Sequence, residues 1–209
     1  MIDESATSSF DIRISFVIRH SEFVILFMPF PALPTAITDT IPAPRIWLLM
    51  GVCGCGKTAV GEALASRLGA AFLDADHLHS PENKAKMSAK IPLTDDDRRP
   101  WLEKLRREVI DATPPGRVTV LACSALKRAY REMLMAGLTD VQLVHLHGSF
   151  ELISSRLAAR RGHFMPADLL RSQFSTLEVP AADEGMTVSI EGTVNEVAER
   201  VLNVSTGPR

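Results

Sequence analysis

Residues 51–58 read Gly51-Val52-Cys53-Gly54-Cys55-Gly56-Lys57-Thr58, the full G-x-x-x-x-G-K-[ST] spacing of a phosphate-binding loop. Glycines at these places let the backbone turn tightly and approach an anion where a Cβ would obstruct it. Successive backbone N–H groups from Gly51 to Thr58 then surround a polyphosphate. Lys57 reaches the β- and γ-phosphates, and the Thr58 hydroxyl can ligate Mg²⁺. The expected ligand of the whole loop is a nucleoside triphosphate. A disulfide between Cys53 and Cys55 would distort this backbone, so both are read as thiols, which points to a cytosolic compartment.

Other chemistry-bearing residues cluster after it. Asp74 and Asp76 are two apart, and in an extended segment such side chains point the same way. One carboxylate then suits Mg²⁺ through water, and the other suits the proton of an attacking hydroxyl. The competing reading is a solvated loop end or a helix cap. His77 and His79 stand beside them without the further His or Cys ligands of a zinc site, so His79 is read as a hydrogen-bonding group near substrate or a cap. For Thr94-Asp95-Asp96-Asp97-Arg98-Arg99 two readings stand level: acids placed before a helix dipole, or Arg98 or Arg99 as a clamp on a substrate carboxylate. Lys127 and Arg128 follow Cys123-Ser124-Ala125-Leu126 at a helix start, against the macrodipole, which favours an anionic ligand over a solvated face. Arg156, Arg160 and Arg161 precede Gly162-His163-Phe164-Met165, a pattern that fits a lid closing arginines over phosphates as well as ordinary C-terminal capping. Cys123 stands where a separate Walker-B aspartate would be expected, leaving Mg²⁺ to Thr58 and the loop carboxylates.

These residues need a scaffold, and the apolar pattern supplies one. Strands are expected at 46–50, 70–73, 118–123, 141–145 and 187–190, separated by helices over 58–68, 127–135, 150–161 and 166–178 and by a last helix opened by the Thr193/Glu196 capping box. Ser80-Pro81 reads as an N-cap followed by proline at the first helical position, and Pro100 is expected to repeat that device before Trp101. Alternation of this kind implies an α/β fold with a parallel sheet covered on both faces, whose ligands gather at the carboxyl ends of the strands. Loops 51–58, 74–80 and 123–128 should therefore converge.

Composition sets the outer limits. With 209 residues, 46% hydrophobic, 23% charged and a formal net charge of −2, one packed domain is expected, with no basic excess to suggest nucleic acid as a partner. The apolar run Phe23–Met28 is interrupted by Pro29, Pro31 and Pro34, far short of the ~20 residues that span a bilayer, so no membrane partner is expected. Asp3 and Glu4 replace a cationic signal-peptide start. Residues 1–44 can be a flexible tail, an organelle presequence or a leader before a start such as Met28. They are read as a poorly ordered, dispensable extension, followed by a phosphate-loop domain over 45–204 and a tail over 205–209.

Taken together, Gly51–Thr58, Leu73-Asp74-Ala75-Asp76-His77-Leu78-His79, Lys86-Met87, Pro92-Leu93-Thr94-Asp95-Asp96-Asp97-Arg98, Pro100-Trp101-Leu102, Cys123–Arg128, Tyr130-Arg131, Gly162-His163-Phe164-Met165 and Ser172-Gln173-Phe174 resemble the small gluconokinases. The resemblance runs from Arg45 to about Leu202 and implies a P-loop NTPase fold of the nucleoside-monophosphate-kinase kind with a small lid. It implies transfer of the ATP γ-phosphate to the 6-hydroxyl of D-gluconate, and a homodimer. Lys57, Asp76 and Arg128 would then serve the transfer, with Lys57, Thr58 and the rest of the 51–58 loop, Arg156 and Arg160 on ATP. By looser similarity to shikimate kinase, Asp74 joins Thr58 at Mg²⁺, Asp76 meets the acceptor hydroxyl and Arg98 grips its carboxylate; His79 and Lys127 complete the substrate side. The sequence departs from the family at Cys53 and Cys55, usually serines, at Ala75 and Lys90, usually glycines, at Ser80, usually proline, and at Ser149, where an acid is frequent.

Overall fold

The computed structural model describes residues 44–89, 91–159 and 167–206, all within the unit Thr40–Arg209. The expectations for residues 1–43, Lys90 and the Arg160–Pro166 segment lie outside the described residues.

Five parallel strands form one sheet in the order β2-β3-β1-β4-β5: β1 Ile46–Met50, β2 Ala71–Asp74, β3 Thr119–Ala122, β4 Val141–His147 and β5 Met186–Ser189. Side chains along a strand alternate between faces, and β1 divides accordingly. Trp47 and Leu49 enter a core with Val60 and Leu64 of α1 (Lys57–Leu68) and Val197 and Val201 of α7 (Val194–Thr206). Ile46, Leu48 and Met50 enter a second core with Leu102 and Leu105 of α3 (Asp95–Leu105) and Leu134 of α4 (Arg128–Met135). Burial on both sides is why the central strands β1 and β3 read as near-continuous apolar runs. The remaining helices are α2 (Pro81–Ser88), α5 (Phe150–Ala159) and α6 (Ala167–Thr176).

The chain leaves β1 for one flank of the sheet and from β3 crosses to the other, so its order reverses at the carboxyl end of β1. Leu49 and Asp74 are both level with Ala122 of β3. The loops beginning at 51, 75 and 123 therefore leave one edge side by side, at the place where such sheets bind ligands.

Two local expectations are corrected. Pro100 does not open a helix: α3 begins at Asp95, because Thr94 and Asp97 form a reciprocal capping box upstream and leave Pro100 inside the helix. Residues 75–78 are a 3₁₀ turn rather than an extended segment. Asp74 caps this turn by accepting the Asp76 N–H at 3.1 Å, so the two carboxylates are related by a cap and not by strand alternation. Ser80 does cap α2, accepting the Asn83 N–H at 3.2 Å with Pro81 following. Thr193 and Glu196 likewise form their predicted pair before α7.

Candidate active site

The phosphate loop joins β1 to α1. Gly51 has φ +143°, and a Cβ there would lie 2.8 Å from the Leu146 carbonyl oxygen; at Gly54, φ +85°, it would lie 2.7 Å from Leu157 Cγ. Only glycine lets the loop sit this close to β4 and α5. Cys55 is fully buried in the core, so that it offers an anion its backbone alone, while Cys53 is partly exposed. Lys57 Nζ donates to the carbonyls of Gly51 at 2.9 Å and Val52 at 3.1 Å, which holds the ammonium over the loop. The first half of the loop is tied to the β3 side, with Gly51 N–H donating to Ser124 O at 3.3 Å. The second half borders a cavity of about 420 Å³ lined by Gly54, Gly56, Arg156, Gly192, Thr193 and Val194. Arg156 stands in that wall, fixed by donation to the Ile190 carbonyl at 2.8 Å.

Thr58 Oγ1 donates to Asp74 Oδ2 at 2.8 Å. A hydroxyl and a carboxylate thus meet at the start of α1, next to the loop. Mg²⁺ takes one or two protein oxygens and fills its other positions with phosphate and water, and this pair fits that need. No group of three or more His, Cys, Asp or Glu suited to a metal is gathered among the described residues. Cys123, behind the site, is fully buried, and burial pushes its thiol up to about 12. The negative fields of Asp76 and Asp74 add to that shift and Lys57 opposes it, so all three charges act on one point.

His79 is buried beneath Asp76, its Nε2 4.0 Å from Asp76 Oδ1. Its ring stacks on Trp101 with centroids 4.0 Å apart, and Trp101 Nε1 donates to the Ala75 carbonyl at 2.9 Å. Stack and hydrogen bond together fix the 75–79 turn against α3. Burial lowers the imidazole pKa more than Asp76 raises it, so the ring is neutral at neutral pH.

Of the two candidate arginines on α3, Arg99 is exposed and Arg98 turns inward. Arg98 Nη1 donates to Leu93 O at 2.7 Å and to Tyr130 Oη at 3.4 Å. Asp95 accepts from Lys127 Nζ at 2.7 and 2.8 Å and from the Tyr130 hydroxyl, and it lies 3.7 Å from Arg98. Lys127 and Tyr130 hold the Asp95 carboxyl below its usual range, and Asp95 raises Lys127 in turn. Arg98 and Lys127 are thus gathered around one acid that the dipole argument had assigned only to helix capping. Arg128 is placed differently. Its guanidinium is largely exposed and pairs at 2.9 Å with Glu132 of its own helix, so the cation expected at the transfer centre has its counter-ion one turn along.

Sequence reasoning gave Arg131 no role beyond its place in the Tyr130-Arg131 string. Its guanidinium is 1% exposed, forks onto Glu184, and donates to the carbonyls of Ala125, Leu126 and Glu178. Ala125 has φ +42°, the one left-handed non-glycine among the described residues. Arg131 therefore holds a strained turn whose neighbour Ser124 touches the phosphate loop. Nor did spacing point to Gln173 of α6, whose Oε1 accepts the Cys53 N–H at 2.6 Å; the only signal was its place in the Ser172-Gln173-Phe174 string.

The family description shikimate kinase matches residues 53–202. A protein described as probable gluconokinase from Rattus norvegicus is 46% identical over 178 residues, covering 76% of this chain and 96% of that protein. The thermoresistant gluconokinase of Escherichia coli is 42% identical over 162 residues, covering 77% and 93%. The crystal structure of a gluconokinase from Sinorhizobium meliloti superposes with a TM-score of 0.70 at 41% identity, covering 77% of this chain and 90% of that one. With a phosphate loop, a hydroxyl–carboxylate pair and a second cationic cluster at one sheet edge, the chain belongs to the gluconokinases, ATP-dependent kinases of the shikimate kinase family.

Proposed function

We propose that this protein transfers the γ-phosphate of ATP to the 6-hydroxyl of D-gluconate, giving 6-phospho-D-gluconate and ADP. The observation that carries the reading is the meeting of two unlike halves at one sheet edge. The phosphate loop with Lys57 and the Thr58–Asp74 pair lies on one side, and Asp76, His79 and the Arg98–Lys127 cluster on the other. The first half suits a triphosphate and the second a small polyhydroxy acid. Its relatives, described as gluconokinases, support gluconate as that acid.

In this reading the loop N–H groups and Lys57 hold the polyphosphate, and Arg156 borders the space for the nucleoside. Thr58 and Asp74 would hold Mg²⁺, which supplies charge neutralisation to the phosphate oxygens when bound. Asp76 orients the acceptor hydroxyl and takes its proton, with the neutral ring of His79 beneath it. Arg98 and Lys127 receive the substrate carboxylate in exchange for Asp95. Phosphoryl transfer asks mainly for positioning and electrostatic stabilisation, which these groups can provide. The kinase domain is taken as 45–204, with 1–44 and 205–209 outside its chemistry. The family resemblance supports a homodimer. The thiols of Cys53, Cys55 and Cys123 and the absence of any membrane-spanning helix among the described residues accord with a cytoplasmic location.

Coupled ADP release across sugar acids and shikimate tests the reading. ADP release should depend on D-gluconate and vanish in Lys57→Ala, while circular dichroism of that variant stays unchanged. Turnover independent of gluconate, or with shikimate alone, would remove gluconate as the substrate.

A further inference from the structure

Gln173 makes an unusual contact for a residue beside an anion-binding loop. Its Oε1 accepts the N–H of Cys53, the third residue of that loop, at 2.6 Å. A backbone N–H can only donate, so the atom facing it is the amide oxygen and the NH₂ group is left on the other arm of the same amide. Among the described residues, Cys53 is the hydrogen-bond partner of this side chain. The helix that carries it is packed on its neighbours. Leu170 of the same helix is 1% exposed, and the Phe174 ring meets Phe150 edge-on at 5.6 Å.

The position of Cys53 along the loop gives the contact its meaning. Gly54 to Gly56 border the cavity with Arg156 and Gly192, where the nucleoside side of a donor has room. Gly51, at the other end, is bonded to Ser124 in the loop that carries Lys127 on the acceptor side. A triphosphate lying along the loop from cavity to acceptor brings its last phosphate to the Cys53 end. A lone acceptor oxygen at that place would repel the phosphate. A carboxylate would bind the Cys53 N–H more strongly than an amide does but would repel the phosphate further. An amide reconciles the two demands, since one arm holds the loop and the other donates.

We propose that Gln173 is part of the transfer site, its Oε1 pinning the phosphate loop at Cys53 and its Nε2 donating to the terminal phosphate of the triphosphate. This rests on residues 51–58 binding the donor nucleotide. The substitution Gln173→Glu separates the two arms: it keeps an acceptor for Cys53, strengthened by charge, and replaces the donor with a negative oxygen.

The full chain and its Gln173→Glu variant are titrated with ATP and with ADP by calorimetry, and their melting temperatures are compared. The variant should melt at or above the wild type. Its ATP affinity should fall by roughly tenfold or more, the scale of a lost hydrogen bond to a charged group, with ADP binding within about twofold. Equal losses for ATP and ADP, or no loss for either, would overturn the proposal while leaving the donor site intact. Wild-type protein that binds neither nucleotide would remove the donor reading and this inference together. Gln173→Met keeps the length without either arm and covers the case of a misfolded Glu variant. It should bind ATP about tenfold more weakly, and wild-type ATP affinity in it would overturn the role of Nε2.

Discussion

Asp76 lies on a turn that is fixed from three sides. Asp74 accepts its N–H, the buried ring of His79 lies 4.0 Å from its carboxylate, and Trp101 holds both the His79 ring and the Ala75 carbonyl. Its own carboxylate stays 61% exposed, so the fixed backbone presents a free acid to the cleft. If that acid takes the acceptor proton, Asp76→Asn keeps the size and the turn but loses the base. Turnover should fall by ~10²–10⁴-fold, the usual weight of a positioned acid or base. ATP affinity measured by calorimetry should hardly move. Equal loss of turnover and of ATP affinity would place Asp76 on the donor side instead. The identity of Asp74 and Asp76 was legible in the sequence because phosphate chemistry needs oxygen ligands near the loop. Their relation was not, since a carboxylate that caps the next turn and one that alternates along a strand share the same spacing of two.

The central strands and most helices were legible because burial on both faces leaves apolar runs and capping residues mark the helix ends. Where two start signals compete, as Thr94/Asp97 and Pro100 do before Trp101, the reciprocal hydrogen bonds of the capping box decide and a sequence reader can choose wrongly. Arg131 shows the deeper limit. On a helix an arginine after a tyrosine reads as solvent-facing; it is buried because Glu178 and Glu184, 47 and 53 positions later, fold over it. No local pattern carries that information. The segment from α6 to β5 is thereby bound to the β3–α4 turn, and the element contact has an energetic signature. Arg131→Met strands the Glu184 carboxylate, which is 15% exposed, and should cost about 3–5 kcal/mol of stability. Removing both charges in Arg131→Met/Glu184→Leu should recover the part of that loss due to the stranded carboxylate, whereas the carbonyls of Ala125, Leu126 and Glu178 lack their donor in both variants. Urea denaturation of the two variants checks the order; a double variant less stable than the single one would show that the ion pair itself, not the avoidance of a lone charge, holds these elements together.

At the scale of the molecule, acid stability turns on imidazoles sealed inside the fold. His145 on β4 is 1% exposed, and burial first, then His147 and the Arg131 cation, depress its pKa from 6.5 to about 4. His79 is lowered by burial as well. An unfolded chain takes up these protons near pH 6.5, whereas the folded chain resists, so between pH 6.5 and 4 the unfolded state binds more protons and stability falls with pH. For His145 alone the shift corresponds to roughly 3 kcal/mol, fully present above pH 6.5 and gone below about 4. The carboxylates act lower down: Asp97, held at about 2 by Lys86 and Thr94, contributes above its ordinary 3.8 and loses that contribution only as pH drops toward 2. The histidines therefore set the first limb of acid unfolding, well before the paired acids are protonated. Gln at position 145 is neutral throughout, so His145→Gln should be less stable at pH 7 yet lose less on moving to pH 5 than the wild type does. Melting temperatures of both proteins across that interval test the point. Parallel curves would mean that His145 keeps its proton equilibrium on folding and that the acid limb has another origin.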